Sequence, residues 1–341
     1  MDLFQPLVPP DKQHYIFQLL MHPAHAPERA VIQGWAAGFI DRDGKFVKEF
    51  QSSFESSFWE LYLHAVLKGM GMSPDYSFHA PDFVVTSPTP FVMEATIASP
   101  AQGGVPAYGL RKPEIPDDFG EFNRQAILRL CNSFTSKVHK YRQHYAKLTH
   151  VRDQPYVIAI APFDRPLAHL AANRPIMATL YGIYFDEDAT IAAQAENVIT
   201  HDVKAVTKHD TANVPVGMFS GDAYKDVSAV VYGPLATWGK VRALADAPER
   251  KIQFTTVHPS SGPGLMPEVR TATKADYVEH LLDGLYVFHN PYAERPLSAN
   301  LFDHERLGRF IVGPDGNLEE RCPDDFLLMR MLTSQEPALK P

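Results

Sequence analysis

The spacing of apolar residues changes within residues 58–98. In the first part, FWELYLHAVLKGMG, apolar side chains recur at the three-, four- and seven-residue spacing of a helix that buries one face. The recurring side chains are Phe58, Leu61, Tyr62, Ala65 and Val66. Gly69 and Gly71 follow this stripe, and glycine commonly ends helices. The pattern therefore predicts a helix that ends near Gly69.

Two short β-rich runs come next, at residues 82–86 and 91–97, and SPTP joins them. This arrangement is typical of a β-hairpin. Side chains alternate between the two faces of a strand, so Glu94 and Thr96 share one face. Asp82 joins them on that face only if the hairpin has the right register, which the sequence leaves open.

Residues 31–54 carry a turn signal of their own. The runs VIQGWAAGFI and KFVKEFQSSF, both rich in apolar residues, flank DRDG. An Asp-Gly pair between two such runs favours a hairpin turn. We therefore expect an N-terminal β-hairpin in this segment.

The remaining strong signals alternate between helix and strand. Residues 121–149 are a long helix candidate, and PYVIAIAPF at 155–163 is a continuous apolar run, typical of a strand covered on both faces. DVSAVVYG at 226–233 predicts a further strand. This alternation predicts an α/β fold. Residues 164–225 have the character of an insertion, and residues 250–341 show only weak periodicity.

The composition is that of a globular chain and excludes several kinds of site. The 341 residues are 45% hydrophobic and allow one large domain or two. Cys131 and Cys322 are isolated, so we expect neither a disulfide framework nor a zinc knuckle. HExxH, phosphate-loop and GxSxG motifs are absent from the sequence. The start of the chain does not resemble a signal peptide, and no apolar run approaches about 18 residues, so we expect a cytoplasmic protein without a membrane span.

The charge is acidic overall but uneven. The net charge of −8 counts mildly against a nucleic-acid binder, yet residues 122–152 contain seven Lys or Arg and no Asp or Glu. Such a basic stripe is what a surface that contacts phosphates would show, although a solvated helix face has the same pattern. The candidate phosphate contacts are Arg124, Arg129, Lys140, Arg142 and Lys147.

Three carboxylates lie on the predicted elements at residues 58–98. Glu60 lies on the predicted helix, Asp82 at the start of the first hairpin strand and Glu94 on the second. This layout can gather the three carboxylates around a divalent metal, because magnesium prefers oxygen ligands. A magnesium site of this kind is commonly used to hydrolyse phosphodiesters. The simpler interpretation is that Asp82 is a turn residue and that Glu94 faces solvent.

The succession of a helix Glu, a Pro-Asp and a strand Glu resembles the PD-(D/E)XK, or restriction-endonuclease-like, nuclease superfamily. The matching residues are Glu60 in FWELYL, Asp82 in APDF and Glu94 in MEAT. The resemblance covers about residues 50–163. It departs from the family where the third motif residue is usually Lys and here is Thr96.

The resemblance implies a role for each residue. Asp82, Glu94 and the carbonyl of Ala95 would hold magnesium or manganese, and Glu60 would hold a water or a second metal. Some members supply the missing lysine from the neighbouring helix. Lys137 is our candidate for that lysine and Lys140 is the second, while Thr96 could position the water less effectively because a hydroxyl carries no charge.

The resemblance also implies a fold and a function. We expect a restriction-endonuclease-like core, that is, a mixed central sheet flanked by helices, with the N-terminal hairpin and a C-terminal α+β extension. The expected divisions are a nuclease-like core at 1–163, the insertion at 164–225, and a last core strand with the extension at 226–341. The expected function is a magnesium-dependent endonuclease that acts on DNA rather than RNA, as a homodimer or within a protein complex.

Two alternatives stay open. The fold could be kept without catalysis, leaving a subunit that binds nucleic acid or scaffolds a complex, and both Thr96 and the acidic charge favour this. The chain could also be an α/β protein unrelated to nucleases. In that case Glu60, Asp82 and Glu94 would lie far apart.

Overall fold

A large mixed β-sheet flanked by helices forms the centre of the molecule. The computed structural model describes residues 1–109, 113–196, 198–209, 212–260 and 266–334. In these ranges eight strands join one central sheet, and smaller sheets of three, two and two strands surround it. The chain is thus a mixed α/β protein.

The α-helices are numbered in chain order. They are α1 (Tyr15–Met21), α2 (Ala26–Trp35), α3 (Phe46–Ser52), α4 (Phe54–Gly69), α5 (Phe119–Lys140), α6 (Arg174–Tyr181), α7 (Glu187–Ala192) and α8 (Trp238–Leu244).

The strands are numbered in the same way. They are β1 (Ser73–Pro74), β2 (Phe83–Ser87), β3 (Phe91–Ala98), β4 (Tyr156–Pro162), β5 (Ile183–Asp186), β6 (Ile199–Asp202), β7 (Ala205–His209), β8 (Ala212–Pro215), β9 (Ala229–Tyr232), β10 (Ile252–His258), β11 (Glu268–Thr273), β12 (Tyr286–His289), β13 (Gly308–Val312), β14 (Leu318–Arg321) and β15 (Met329–Ser334).

The central sheet has the strand order β1-β2-β3-β4-β9-β12-β13-β14. Strands β3, β4 and β9 run parallel to one another, whereas β2 is antiparallel to β3 and β12 is antiparallel to β9. The predicted hairpin at 82–97 and the predicted strands at 155–163 and 226–233 are therefore confirmed as neighbours in one sheet. All seven residues of β4 are buried, as its continuous apolar run predicts.

Helices cover the two faces of this sheet with separate cores. On one face, α4 packs Phe58 and Leu61 against Met93 and Val157. On the opposite face, α5 and α6 pack against the alternate residues of the same strands, such as Ile158. Helix α4 ends at Gly69, as its pattern predicts, and Gly71 follows with a φ of +71°. Alternate residues of these strands therefore face α4 on one side of the sheet and α5 and α6 on the other.

The predicted β-hairpin over residues 31–54 is wrong. Residues 31–35 belong to α2 and 46–52 to α3, and the DRDG segment between them is a connection between helices. There the Asp41 carboxylate accepts hydrogen bonds from the backbone N–H groups of Gly44 and Phe46. The Asp-Gly signal did mark a turn, but apolar residues at helical spacing on both sides bury helix faces instead of pairing as strands.

The C-terminal third is not a separate extension. It contributes β12, β13 and β14 to the central sheet, while β10, β11 and β15 form the three-stranded sheet. The segment 283–297, which contains β12, is thus part of the core. In the described ranges, no helix is both long enough and apolar enough to cross a lipid bilayer.

The segment between β4 and β9 fills most of the predicted insertion at 164–225. It contains α6, α7 and two antiparallel strand pairs, β5–β6 and β7–β8. Because β4 and β9 are adjacent parallel strands, this segment is their crossover connection, and α6 packs beside α5 on the sheet.

A buried ion cluster joins the three-stranded sheet to the core. The Glu279 carboxylate, which is fully buried, pairs with Lys240 of α8 and Arg330 of β15. Tyr277 donates a further hydrogen bond to it, with an O···O distance of 2.6 Å. Since two cations depend on one carboxylate, the cluster is sensitive to the loss of that charge.

We predict that Glu279→Gln lowers the free energy of unfolding by about 3–5 kcal/mol, because it leaves two buried cations without a counter-charge. Urea unfolding measures this change. Glu319→Gln is the matched control, since Glu319 forms a solvent-exposed pair with Arg321 and should cost less than about 1 kcal/mol. Equal losses in the two variants would contradict the prediction.

Candidate active site

The register of the β2–β3 hairpin brings Asp82 and Glu94 together. Phe83 lies opposite Met93, and Val84 lies opposite Val92. Continuing this register by one residue places Asp82 opposite Glu94, with both side chains on the face that α5 covers. The hairpin register, which the sequence left open, is therefore the one that places the two carboxylates on the same face.

The backbone of Ala95 completes this edge of the site. Its N–H donates to Asp82 Oδ2 with an N···O distance of 2.8 Å, which holds the carboxylate against β3. The ladder between β2 and β3 ends at the Phe83–Met93 pair, and continuing its register by two residues sets Ala95 opposite Pro81. Proline has no N–H, so it cannot give the Ala95 carbonyl the hydrogen bond that a regular hairpin would supply.

Glu94 is a buried carboxylate that two lysines of α5 compensate. Its side chain is 1% exposed, and Lys137 Nζ and Lys140 Nζ each lie 2.8 Å from Oε1. Tyr145 donates to the same oxygen at 3.3 Å, from a π-helical turn (Tyr141–Tyr145) that follows α5. Glu94 Oε2 is buried as well and has no hydrogen-bond partner among the described residues.

The charges around Glu94 and Asp82 act on the two carboxylates in opposite directions. Burial raises the pKa of Glu94, but Lys137 and Lys140 outweigh it and hold that pKa below its usual value. Burial, and then the charge of Glu94, raises the pKa of Asp82 to about 6, against the weaker effect of Lys137. Glu94 is therefore ionised while Asp82 still exchanges a proton near neutral pH.

Glu60 reaches the same region from the other helix layer. Burial raises the pKa of Glu60 well above its usual value, and the negative charge of Asp82 adds to this rise. Glu60 is thus within electrostatic range of Asp82. In the part of the chain that the structure describes, however, no three His, Cys, Asp or Glu side chains are grouped closely enough to hold a metal, so the three carboxylates do not form a three-ligand set.

The structure gives the positions of Lys137, Lys140 and Thr96 relative to Glu94. Lys137 reaches Glu94, and Ser133, one turn earlier, donates to the Ile97 carbonyl at 3.0 Å. Lys140, predicted as a phosphate contact and as the second candidate for the missing lysine, also contacts Glu94. Thr96 shares the face of Glu94 and is partly buried.

The other basic candidates mostly hold parts of the chain together. Arg124 pairs with Glu121 at 2.6 Å, and Arg142 pairs with Asp226 at the same distance. Arg129 donates to the backbone carbonyls that follow β3, those of Ser99 and Pro100. Lys147 is exposed. The predicted stripe is therefore not a continuous row of uncommitted cations.

Two residues of the site were missed by reading the sequence. Arg42 donates to the carbonyls of Phe78 and Pro81, and its Nη2 lies 3.9 Å from Asp82 Oδ1. It was read as part of a hairpin turn, so nothing connected it with Asp82. Tyr145 continues the four-residue spacing of Ser133 and Lys137, and that spacing was the available signal.

No protein-family model, curated protein or solved structure matches this chain. What can be said of the site therefore rests on its own geometry and charges.

The donor atoms at this edge fit a hard divalent cation in kind. Among the described residues, Glu94 Oε2 is a buried carboxylate oxygen without a hydrogen-bond partner. The Ala95 carbonyl follows Glu94 in the chain, and Asp82, which accepts from the Ala95 N–H, supplies further oxygens. Magnesium takes such ligands and usually keeps several waters. The charge of Glu94 is already balanced by two lysines, so cation binding would compete with part of this pairing.

A wide cleft lies at the carboxyl ends of β3 and β4. It encloses about 1290 Å³, and its walls include Ala101 after β3, Asp164 after β4 and Trp238 after β9. The N-terminal half of α5 forms another wall, through Phe122 and Arg129. The crevice outside the carboxyl ends of parallel strands is where open α/β sheets commonly bind ligands.

The raised pKa of Asp82 predicts how stability depends on pH without metal. The folded protein holds the Asp82 proton up to about pH 6, whereas an unfolded chain loses it near 3.8. The contribution of Asp82 to stability therefore falls as pH rises from about 4 to about 6. Asp82→Asn cannot lose a proton, so we expect it to stabilise the protein relative to wild type by on the order of 2 kcal/mol at pH 7.5.

Urea unfolding in EDTA at pH 4 and pH 7.5 measures this difference. Asp117→Asn, in an exposed loop, is the matched control and should show no such pH dependence. A constant difference between Asp82→Asn and wild type at both pH values would contradict the prediction.

Proposed function

We propose that this chain is a metal-dependent nuclease with a restriction-endonuclease-like core, which hydrolyses phosphodiester bonds and acts on DNA in preference to RNA. The observation that carries the proposal is the convergence of Asp82, Glu94 and Lys137 at one edge of the sheet, with the Ala95 backbone between the two carboxylates. A buried lysine–carboxylate pair whose second carboxylate oxygen, Glu94 Oε2, has no partner among the described residues is costly as mere structure. Such perturbed groups cluster at functional sites.

The arrangement of elements supports the fold likeness. A helix that carries Glu60, a hairpin that carries Asp82 and Glu94, the helix α5 and the parallel strand β4 follow one another as in the family core. The lysine of the proposed site comes from α5, because the position at which the family usually has lysine holds Thr96. This agrees with the family members that supply the lysine from the neighbouring helix.

Each residue would have a distinct task. Asp82, Glu94 and the Ala95 carbonyl would hold magnesium or manganese, which supplies charge neutralisation at the phosphate and a more acidic bound water. Asp82 would give up its proton at Oδ before holding a cation, since its pKa is about 6. Lys137 Nζ, a charged donor held by Glu94, would orient a water and offset negative charge that develops on the phosphate.

The remaining residues would keep this arrangement in place. Tyr145 and Lys140 fix the Glu94 carboxylate, and Arg42 stands beside Asp82. Glu60, at the rim, would hold a water and not bind the cation directly.

The second candidate is a subunit of the same fold that binds nucleic acid without cutting it. It is favoured by the paired state of Glu94, whose Oε1 already accepts from three donors. A site whose charges balance without a cation has less need of one. Binding that is indifferent to both magnesium and Asp82 would be its signature.

We predict metal-dependent cleavage that depends on both carboxylates. Asp82→Asn and Glu94→Gln keep the size of each side chain but remove its charge, so each should lower the cleavage rate by about a hundredfold or more. The assay compares plasmid and single-stranded DNA with magnesium, manganese or EDTA. Circular dichroism verifies that each variant is folded.

We also predict that Lys137→Ala lowers the rate on the order of 10²–10³-fold, because it removes one charge-stabilising donor. Lys251→Ala is the control, an exposed lysine just before β10, and should stay within about twofold. Equal activity in these two variants would remove Lys137 from the proposed mechanism.

Magnesium binding has a readout that does not need catalysis. At ten times its Kd, magnesium should stabilise wild type by about 1.4 kcal/mol in thermal unfolding and leave Asp82→Asn unchanged. Folded wild type that neither cuts DNA nor gains stability from magnesium would refute the nuclease proposal and favour the non-catalytic subunit.

A further inference from the structure

The wide cleft at the carboxyl ends of β3 and β4 contains a buried acceptor that no described residue uses. Asp164 follows β4, and its side chain is 1% exposed. Arg165 donates to Oδ2 at 2.5 Å, whereas Oδ1 has no hydrogen-bond partner among the described residues. Burial raises the pKa of Asp164 against the opposing charge of Arg165. A ligand that donates a hydrogen bond to Oδ1 would remove this cost.

The walls around Asp164 combine flat apolar rings with cations. Tyr15, Tyr108, Phe122 and Trp238 line the cleft. Among the described residues, four basic side chains line it too, against two carboxylates, Asp164 and Glu114. The basic side chains are Arg124, Arg129, Arg165 and Lys208.

The arginines are held in place by contacts that leave them at the cleft wall. Arg165 lies over the Phe122 ring, 5.0 Å from its centroid, and donates to Gln125. Arg124 is held by Glu121, and Arg129 by the carbonyls after β3. Fixed guanidinium groups suit phosphate, and aromatic rings suit a nucleobase.

We propose that this cleft binds an unpaired nucleotide and selects a base that carries an amino group, which donates to Asp164 Oδ1 while Arg129 and Arg165 contact phosphate. Adenine, cytosine and guanine each carry such a group, whereas thymine carries none, and its one Watson–Crick donor, the ring N3–H, lies between two carbonyl oxygens. A carboxylate is an acceptor only, so an amino group can donate to it freely, whereas approach of the thymine N3–H brings two repelling carbonyl oxygens beside it.

The position of the cleft favours a nucleotide within a strand over a free nucleotide. Its volume of about 1290 Å³ exceeds the range of about 300–1000 Å³ usual for small-molecule pockets. Helix α5 lines it through Arg129 and reaches Glu94 through Lys137, eight residues or about 12 Å further along the helix. A single strand in the cleft would therefore extend toward the carboxylates, an assignment that rests on the proposed nuclease function.

The test measures binding of labelled oligo-dC and oligo-dT by fluorescence anisotropy in EDTA, so that no cleavage occurs. Wild type should bind oligo-dC on the order of tenfold more tightly, as expected for one hydrogen bond to a charged group. Asp164→Asn, which adds an N–H donor, should abolish or invert this preference. Glu114→Gln, at the rim of the same cleft, is the matched control and should retain it.

A second measurement needs no variant and covers the case in which Asp164→Asn does not fold. Oligo-dC built with N4,N4-dimethylcytosine lacks both amino hydrogens, so wild type should bind it no better than oligo-dT. Equal binding of oligo-dC and oligo-dT by wild type, or equal effects of the two variants, would overturn the proposal.

Two further arms separate the sources of the nucleotide and the two proposals. Binding of dCMP as tight as that of oligo-dC would overturn the strand as the occupant, and duplex binding as tight as single-strand binding would overturn the unpaired base. Base selection in EDTA without any cleavage in magnesium would uphold the cleft and refute the nuclease. Cleavage without base selection would uphold the nuclease and refute the proposed role of the cleft.

Discussion

The structure depends on how one buried charge is compensated. Glu94 lies in the middle of a strand that is covered by helices, where an isolated carboxylate would be strongly unfavourable. Lys137 and Lys140 provide the compensation, and both come from α5. Their contact with β3 therefore sets how α5 is rotated and translated over the sheet. Ser133, one turn earlier on the helix, reaches the same strand only in that position.

The same arrangement relates the proposed site to the cleft. Helix α5 carries the lysines near its end and forms a cleft wall near its start, so one rigid element spans both regions. The Glu279 cluster performs a similar task for the three-stranded sheet. In both places a single carboxylate receives two cations from different positions, and the partners become dependent on one another.

The sequence predicted the parts of the site that follow from short-range patterns. The strand alternation placed Glu94 and Thr96 on one face, and the family resemblance pointed to Lys137 on the neighbouring helix, which reaches Glu94. The hairpin register required the structure, because a shift by one residue would have turned Asp82 to the other face.

The missed features depend on contacts between distant segments. Residues 31–54 were misread because an Asp-Gly pair marks a turn whatever elements flank it, and helical packing of Ile32 and Phe46 decided the outcome. Strands β12–β14 are short, and no local period indicates that β12 pairs with β9, β13 with β12 and β14 with β13. Asp164 and Arg42 gain their significance from neighbours more than 30 residues away in the chain, which no spacing rule detects.

The π-helical turn at Tyr141–Tyr145 has a consequence for how the length of this segment can vary. The N–H of Ala146 bonds to the carbonyl of Tyr141, five residues back, so the turn holds one residue more than an α-helical turn. Deleting a single residue here would let the helix continue in regular geometry, but it would shift Tyr145 by about 100° around the axis. A segment that tolerates deletion for folding would thus lose the hydroxyl that contacts Glu94. The number of residues in this turn is therefore constrained by the contact between Tyr145 and Glu94, and not by the geometry of the helix.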